Sequence, residues 1–408
     1  MNILFLTMSR ISDISEHDIY QDLMRSFVNE GHSVYVVTPV ESRYNKPTTV
    51  FDSFGCKILR VKIGNQSNCG NIEKGISLLT LRYYYIKAIK KHLKGIDFDL
   101  LLYSTPPITV MPIVKKFKNK FGCVTYLMLK DIFPQNAVDL GVIKENGLIN
   151  RFFCGQEKKL YKYSDYIGCM SPANIEYLKS NKSICGTKVE LCPNAVDPVP
   201  YVPVKQKEKE TIRKKYGIPD GKILMVYGGN IGRPQGIPSL AECLKAADYR
   251  DDFYFFIAGE GTEYSYLQEF LKANGLKNTK LISRLPRKEY FEIVKAADVG
   301  LISLDKHFTI PNFPSRLLPY MEYSLPVFCV TDSATDVGDI CEANGFGWKC
   351  LSGDVQGFMS ALEAISHSDL PEMGQKARSY LESNYTASRC HDTILEKLND
   401  ADCEDGNE

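Results

Sequence analysis

Three segments of this chain carry residue types that suit the binding of an anion. GGNIGRPQG (228–236) and AGEGTE (258–263) each follow an apolar run, and NFPSR (312–316) precedes another. Glycine lets backbone N–H groups approach a ligand closely, and the start of a helix carries partial positive charge. These segments therefore predict a site for phosphate groups.

Arginines accompany these segments. Arg233 lies inside the first glycine loop, Arg284 follows a predicted strand, and Arg316 closes NFPSR. A guanidinium matches phosphate oxygens as a fork. We expect Arg233 and Arg316 to bind phosphate oxygens, and Arg284 to contact a base or a phosphate. A glycine-rich turn without a ligand and an exposed rim arginine are the alternatives.

The NFPSR segment is predicted to open a helix, with Pro314 at its first position. Asn312 or Phe313 would cap this helix, and the N–H groups of Ser315 and Arg316 would point at a diphosphate. A plain helix cap is the alternative. The other predicted contacts to the ligand in the glycine loops are Gly229, Asn230, Gly232, Gly259 and Gly261.

Acidic residues after predicted strands are candidates for contacts to sugar hydroxyls. In TDSATDVGD (331–339), Thr331, Asp332 and Asp336 suit this role, although such groups also cap helices. In the N-terminal half, Asp131 follows a predicted strand and would face the site.

Other titratable groups have less specific positions. His17 is either a base or, more commonly at a helix start, a cap. The Asp-x-Asp of DFDL (97–100) is interpreted as a solvated strand start and not as a metal site, so no metal is expected.

Short apolar runs alternate with amphipathic stretches along the whole chain, which predicts α/β structure with parallel sheets. The fold class expected is two Rossmann-like, doubly wound domains facing each other across a cleft.

The predicted domains are 1–200, 201–383, and a C-terminal helix with an acidic tail at 384–408. A polar linker is predicted at 201–210. The predicted strands are 2–8, 32–39, 100–105, 123–129, 165–171, 189–195, 222–229, 253–260, 279–285, 299–304 and 325–330.

The composition is that of an ordinary globular protein, with 44% hydrophobic residues and a net charge of +1 over 408 residues. The 13 cysteines are an odd number without any C-x-x-C pair, which argues against a disulfide framework and for a reducing compartment. The N-terminus lacks a signal-peptide pattern, and no apolar run reaches the roughly 18 residues of a membrane span. We therefore expect a cytoplasmic protein.

The charge is divided unevenly along the chain. Residues 1–200 contain 26 Lys+Arg and 18 Asp+Glu, which leaves 24 of the 50 basic and 31 of the 49 acidic residues for 201–408. The positive excess favours peripheral contact with an anionic membrane surface at the inner face of the plasma membrane. Solvated basic helices are the alternative, and nucleic acid is not expected as a partner because no recognition motif is present.

Taken together, these motifs resemble glycosyltransferases of the GT-B fold, family 4. The resemblance covers nearly the whole chain and also includes PNAVD (193–197), AADVGLISL (296–304) and FPSRLLPYMEYSLPV (313–327). DIFPQ and YSTPPIT are similar to segments of the subgroup that acts in bacterial capsule, O-antigen and exopolysaccharide assembly.

The resemblance implies transfer of a sugar, with retention of anomeric configuration, from a nucleotide diphosphate donor to an acceptor. It implies a donor site in the C-terminal domain, no metal and no cofactor besides the nucleotide-sugar co-substrate, with a UDP-N-acetyl sugar as the expected donor. The expected acceptor is a lipid-linked saccharide, whose hydroxyl Asp131 would orient. A GT-B UDP-sugar epimerase and a non-catalytic nucleotide-sugar-binding protein are the alternatives.

Three positions depart from the family pattern. Gln235 stands where the family has a lysine, and Pro311 and Pro319 stand where it has two glutamates. Proline in a helix interior costs about 3 kcal/mol. We therefore expect a short or bent helix here, and we expect Glu322 to take over the contact to the ribose.

Overall fold

The computed structural model describes residues 1–66, 69–181, 184 and 187–404. The chain forms two compact units: Met1–Asp197 together with the segment from Thr386 on, and Pro198–Tyr385. The predicted boundaries lay at 200 and 383. The C-terminal helix, predicted as a separate segment, packs into the first unit.

The first unit is built on an eight-stranded sheet in the order β3-β4-β2-β1-β5-β6-β7-β8. Its neighbouring strands are parallel except β3 and β4, which form an antiparallel pair. The strands are β1 (Asn2–Leu6), β2 (Ser33–Glu41), β3 (Thr49–Ser53), β4 (Cys56–Ile63), β5 (Leu100–Thr105), β6 (Val124–Leu129), β7 (Tyr166–Cys169) and β8 (Lys188–Leu191).

Helices flank this sheet. They are α1 (Ile19–Asn29), α2 (Asn71–His92), α3 (Met111–Phe121), α4 (Gln135–Asp139), α5 (Leu148–Lys162) and α6 (Pro172–Asn181). On α1, Leu23 and Phe27 lie four residues apart and are buried in the core with Phe5 of β1, as the predicted helical spacing requires.

The second unit has a six-stranded parallel sheet in the order β11-β10-β9-β12-β13-β14. Its strands are β9 (Ile223–Asn230), β10 (Phe253–Glu260), β11 (Thr279–Ile282), β12 (Val299–Ser303), β13 (Val327–Thr331) and β14 (Gly347–Leu351). Its helices are α7 (Gln206–Lys215), α8 (Ile237–Ala247), α9 (Tyr264–Asn274), α10 (Arg287–Ala296), α11 (Leu317–Glu322), α12 (Val337–Ala343), α13 (Val355–Ser366) and α14 (Leu370–Asn384).

The last helix of the chain, α15 (Ala387–Glu404), belongs to the first unit. The end of the predicted acidic tail, 405–408, lies outside the described residues.

The predicted linker at 201–210 is partly wrong, because α7 begins at Gln206. Arg213 of this helix donates to the carbonyl of Ala296 and forms an ion pair of 2.6 Å with Asp298. Tertiary contacts of this kind stabilise a helix whose polar sequence carries little amphipathic signal.

Pro319 is accommodated by the short helix that the sequence predicts. Leu317 is the first residue of α11, so Pro319 is the third. The first N–H groups of a helix have no intrahelical partner, so proline removes no hydrogen bond there. The expected cost of an interior proline therefore does not apply.

Candidate functional site

The strand order of each unit reverses at one point, and candidate residues collect there. In the first unit this point lies between β1 and β5, and in the second between β9 and β12. Ligands of open α/β sheets bind outside the carboxyl ends of the strands at such points. A ligand of either unit is therefore expected at the carboxyl ends of the strands beside this point.

In the second unit, the ends of β9 and β10 and the segment after β11 surround a cavity of about 460 Å³. The cavity brings together four predicted residues and adds two that the sequence did not suggest, Arg287 and Tyr290. Its lining is Gly228, Gly229, Asn230, Ala258, Gly259, Glu260, Arg284, Leu285, Pro286, Arg287 and Tyr290. Two arginines against one glutamate make this lining suitable for an anion.

The glycines of this site serve mainly to fit protein segments together. A Cβ atom at Gly228 would lie 2.0 Å from the ring of Tyr290, and one at Gly259 would lie 1.8 Å from the carbonyl oxygen of Gly229. Contacts within the protein therefore already require glycine at these two positions, and both glycines also line the cavity. Gly229 differs, because it is exposed, has a φ of 118°, and has only Arg316 Nη2 near its Cβ position, at 3.8 Å.

Gln235, which replaces the family lysine, braces the glycine loop from inside. Its Oε1 accepts hydrogen bonds from Asn230 Nδ2 at 2.7 Å and from the N–H of Gly232 at 3.3 Å. Gly261 packs on the same loop, because its Cβ would lie 2.2 Å from the carbonyl oxygen of Ile231. Asn230, Gly232 and Gly261 therefore shape the loop, and of these three only Asn230 lines the cavity.

Arg316 presents a buried cationic donor. Its guanidinium carbon lies 4.3 Å from the centre of the Tyr227 ring, and its Nη1 is buried with no hydrogen-bond partner among the described residues. Burial disfavours the charge, but the neighbouring tyrosine hydroxyls outweigh burial, and the pKa of Arg316 is raised. An unsatisfied buried donor costs about 1–3 kcal/mol. The guanidinium nitrogen that lies beside Gly229 is the other one, Nη2. Arg233, by contrast, is exposed at the start of a short 3₁₀ turn.

The NFPSR segment is irregular up to Pro314 and then turns into α11 through Ser315 and Arg316, so the helix begins at Leu317 and not at Pro314. Phe313 is buried and its ring lies 5.7 Å from that of Tyr385, so it is a core residue, contrary to the prediction. The N–H of Asn312 donates to Thr335 Oγ1 at 3.0 Å. Ser315 is exposed.

The loop after β13 satisfies its own polar groups. Asp332 is buried, and its Oδ1 accepts from the N–H groups of Ala334 and Thr335, each at 2.9 Å. Its Oδ2 accepts from Thr335 Oγ1 at 2.9 Å. This corrects the predicted contact between Asp332 and a sugar hydroxyl. Thr331 is the buried last residue of β13, and Asp336 directly precedes α12.

Glu322 is also engaged in contacts within the protein. It is 3% exposed, and its Oε1 accepts from the N–H of Val199 at 2.9 Å. Arg378 donates to the carbonyls of both residues at 2.8 Å. The predicted ribose contact is therefore corrected: Glu322 holds the first residues of the second unit against α11 and α14.

In the first unit, Asp131 lies at the edge where β1, β5 and β6 end. Ser104 of β5 donates to Thr7 Oγ1 at 3.3 Å, and Thr105 pairs in register with Leu129, two residues before Asp131. Burial raises the pKa of Asp131 to about 6. This edge holds hydroxyls and one carboxyl group whose protonation changes near neutral pH, which suits the orientation of a hydroxyl substrate.

His17 pairs with an acid, and the cap of α1 is the next residue, Asp18, whose side chain accepts from the N–H of Ile19 at 2.8 Å. The capping alternative is therefore wrong for His17. Its Nδ1 lies 2.8 Å from Asp22 Oδ2, and Asp22 also pairs with Arg25 and accepts from the N–H of Asp197 at 2.7 Å. The PNAVD segment is thereby tied to α1, and the histidine is engaged in this network.

The Asp-x-Asp motif has the position predicted for it. Asp97 and Asp99 are exposed, and Asp99 accepts from the N–H of Asn2 at 2.6 Å before β5 begins. Within the described ranges, no group of three or more histidine, cysteine or acidic residues is arranged to hold a metal ion. The absence of a metal requirement stays a prediction.

Comparison with known proteins identifies the second unit. Residues 208–383 match the family Glycosyl transferases group 1. The chain is 24% identical over 294 residues, 71% of each chain, to the probable glycosyltransferase WbjE of Pseudomonas aeruginosa. It is 24% identical over 248 residues, 60% of each chain, to the putative colanic acid biosynthesis glycosyl transferase WcaI of Escherichia coli.

The fold is shared over the full length of a solved structure. Sucrose-phosphate synthase from Thermosynechococcus elongatus superposes with a TM-score of 0.78 at 15% identity, covering 99% of this chain and 100% of that one. The predicted fold class, GT-B with two α/β domains, is confirmed, and so is the predicted enzyme class, glycosyltransferase.

Proposed function

We propose that this chain, a GT-B glycosyltransferase similar to enzymes of bacterial polysaccharide biosynthesis, transfers a sugar from a UDP-sugar to a lipid-linked saccharide with retention of configuration. The single observation that carries the donor half is Arg316. Its buried Nη1 lacks a protein partner, and its Nη2 lies 3.8 Å from the Cβ position of exposed Gly229. A diphosphate at Gly229 would meet Nη2 and lie beside the positive charge of the guanidinium.

The cavity beside Arg316 would take the nucleoside. Its exposed arginines, Arg284 and Arg287, would meet the phosphate or the base, and the ring of Tyr290 closes the cavity against Gly228. The size of about 460 Å³ suits a nucleotide-sized ligand. With Gln235 used to brace the loop, we infer that Arg316 supplies the charge that the family lysine would supply.

Asp131 is the proposed orienting group for the acceptor. As a carboxylate it would accept a hydrogen bond from the attacking hydroxyl, while the donor diphosphate takes the proton on the face that is attacked. Arg316 would stabilise the charge that develops on the leaving diphosphate. The chemistry then needs no metal and no cofactor beyond the nucleotide-sugar.

Release of free nucleotide tests this proposal. The purified chain is incubated with UDP-, GDP-, TDP- and ADP-sugars and with lipid-linked saccharide extracts, and free nucleotide and product are measured. We expect acceptor-dependent release of UDP and a product with the donor's anomeric configuration by NMR. An inverted product would refute retention, and a changed sugar without nucleotide release would indicate an epimerase.

A face of the first unit supports the lipid-linked acceptor. Ile72, Ile76, Leu79 and Tyr83 follow one side of α2 and are 81%, 59%, 59% and 60% exposed. Beside Tyr83, α2 and α3 enclose a groove of about 870 Å³ whose lining has five basic residues and no acidic one: Arg82, Lys87, Lys90, Lys115 and Lys116. Apolar side chains beside cations fit an interfacial membrane contact.

None of the described helices combines the length and apolar character needed to cross a bilayer. The proposed contact is therefore tested with vesicles, by co-sedimentation with phosphatidylcholine alone or mixed with phosphatidylglycerol. Each lysine near an anionic surface contributes about 1 kcal/mol, so Lys115→Gln with Lys116→Gln is expected to weaken binding roughly 30-fold. The control is Lys272→Gln with Lys288→Gln, both exposed in the second unit. Binding that ignores phosphatidylglycerol would contradict the proposal.

A further inference from the structure

Two buried thiols of the first unit lie in contact. Cys192 follows β8, Cys390 lies on α15, and their Sγ atoms are 3.1 Å apart. The two residues are 1% and 5% exposed. The pair connects the last helix of the chain to the carboxyl edge of the first sheet.

The surroundings of the pair make room for it and supply a positive charge. At Gly168 of β7, a Cβ atom would lie 2.7 Å from both Cys192 Cβ and the Tyr126 hydroxyl, so the glycine creates the space. The Tyr126 hydroxyl donates to Glu190 at 2.7 Å. The Nζ of Lys130 is buried with no hydrogen-bond partner among the described residues, and burial lowers the pKa of Lys130. Its charge, where present, acts on both thiols.

The two sulfur atoms differ in their acidity. The hydrogen bond from Cys390 and the charge of Lys130 outweigh burial and lower the pKa of Cys192, whereas the pKa of Cys390 is raised. Burial alone raises the pKa of another core thiol, Cys243, to about 12. A thiol of lowered pKa beside a cation and a second thiol has the charge environment of reactive cysteines.

We propose that Cys192 and Cys390 are a redox-active dithiol, which a peroxide converts to a disulfide that ties α15 to the end of β8. The inference is independent of the proposed function, because it concerns thiol chemistry in the first unit alone.

The reaction balances with hydrogen peroxide as the oxidant. The Cys192 thiolate attacks one peroxide oxygen, the O–O bond breaks, and Cys192 becomes a sulfenic acid while the departing hydroxide takes a proton to form water. The Cys390 sulfur then attacks the Cys192 sulfur. The S–S bond forms, and the released hydroxide takes the Cys390 proton. Two thiols are oxidised and one peroxide is reduced to two waters.

The test exposes the reduced full-length protein to a small molar excess of hydrogen peroxide under native conditions. After unfolding and alkylation, we expect loss of two of the 13 thiols and a peptide that links Cys192 to Cys390. Dithiothreitol should restore both thiols. The exposed Cys154 serves as the internal reference. Oxidation of Cys154 with Cys192 and Cys390 both still alkylated would overturn the proposal.

Two variants test the role of Lys130, one that removes its charge and one that keeps it. Lys130→Met should slow disulfide formation at least tenfold, because the thiolate loses its counter-charge, and Lys130→Arg should stay within about threefold of the wild-type rate. Cys154→Ser should leave the cross-link unchanged. Equal rates in Lys130→Met and Lys130→Arg would overturn the role of Lys130, and the wild-type peptide map decides the disulfide itself.

Discussion

The sites at the two sheet edges differ in charge. In the second unit the edge holds Arg316 with an unsatisfied buried donor, and Arg284 and Arg287 nearby. In the first unit the edge holds hydroxyls and Asp131, whose pKa burial raises to about 6. The first set of groups would suit an anion and the second a hydroxyl. Under the proposed function, similar α/β architecture would serve two different substrates.

The same comparison separates binding groups from structural ones. Asp332 and Glu322, both predicted to touch the donor, accept hydrogen bonds from backbone N–H groups of their own unit. Arg316 has a buried donor without a partner among the described residues, and burial raises the pKa of Asp131. Variants of these four residues should therefore fall into two classes, one affecting chemistry and the other stability.

The largest effect is expected at Asp131, on the sheet edge of the first unit. Asp131→Asn should lower turnover about 100-fold at pH 7.5, because the amide cannot replace a carboxylate that orients and polarises the acceptor hydroxyl. Turnover is measured as acceptor-dependent nucleotide release. Asp52→Asn, at an exposed carboxylate of the same unit, is the control. A turnover within twofold of wild type would remove Asp131 from the mechanism.

Next in size is the loss of stability at Glu322. Glu322→Ala leaves the N–H of Val199 without its acceptor and should lower the free energy of unfolding by about 2 kcal/mol. Glu322→Gln keeps an acceptor oxygen and should lose less. Chemical denaturation measures both, and both should keep the wild-type nucleotide dissociation constant. A weakened constant in Glu322→Gln would restore the ribose contact.

The carboxyl group of Asp131 should also lower the free energy of unfolding, by an amount that depends on pH. Its folded pKa of about 6 exceeds the ordinary 3.8, so the unfolded chain ionises first and stability falls as pH rises from about 4 to 6. Asp131→Asn should thus be more stable than wild type above pH 6, by about 1–2 kcal/mol after allowance for partial exposure. The difference should vanish near pH 3. Denaturation across this pH range measures it, and a pH-independent difference would contradict the assigned pKa.

The smallest effect concerns the loop after β13. Thr335→Val removes the hydroxyl that joins Asp332 to the N–H of Asn312, and should cost about 1 kcal/mol of stability. Nucleotide affinity should change less than threefold. Ser333→Ala, at an exposed neighbour, is the control. A tenfold loss of affinity at unchanged melting temperature would mean that this loop binds the donor.

The sequence predicts elements where local patterns decide them. The strands 100–105 and 253–260 match β5 and β10 residue for residue, because each is an apolar run bounded by polar or glycine-containing turns. The β3–β4 hairpin is missed although its two strands pair locally across the turn between Ser53 and Cys56. The helix α7 is missed because its stability comes from a distant partner. For α7 that partner is Asp298, which no local spacing reveals.

The site is predictable only in part for the same reason. Arg316 and Asp131 stand out by residue type after or before a strand, whereas Tyr290 and Thr335 have no local signal. The role of Gly228 depends on Tyr290, which lies on α10. Glu322 lies three residues after Pro319, on the same face of a helix, but in the short α11 its side chain accepts from the N–H of Val199.

The most direct test of the account is a thermal-shift titration with UDP, GDP, TDP and ADP on wild type, Arg316→Ala and the exposed-arginine control Arg151→Ala. A nucleotide at about 100 times its dissociation constant stabilises by roughly 2.7 kcal/mol. The account predicts a selective shift with UDP in wild type and Arg151→Ala, which is lost in Arg316→Ala. An equal shift in Arg316→Ala, or no shift with any nucleotide, would contradict the assignment of Arg316 to the donor diphosphate.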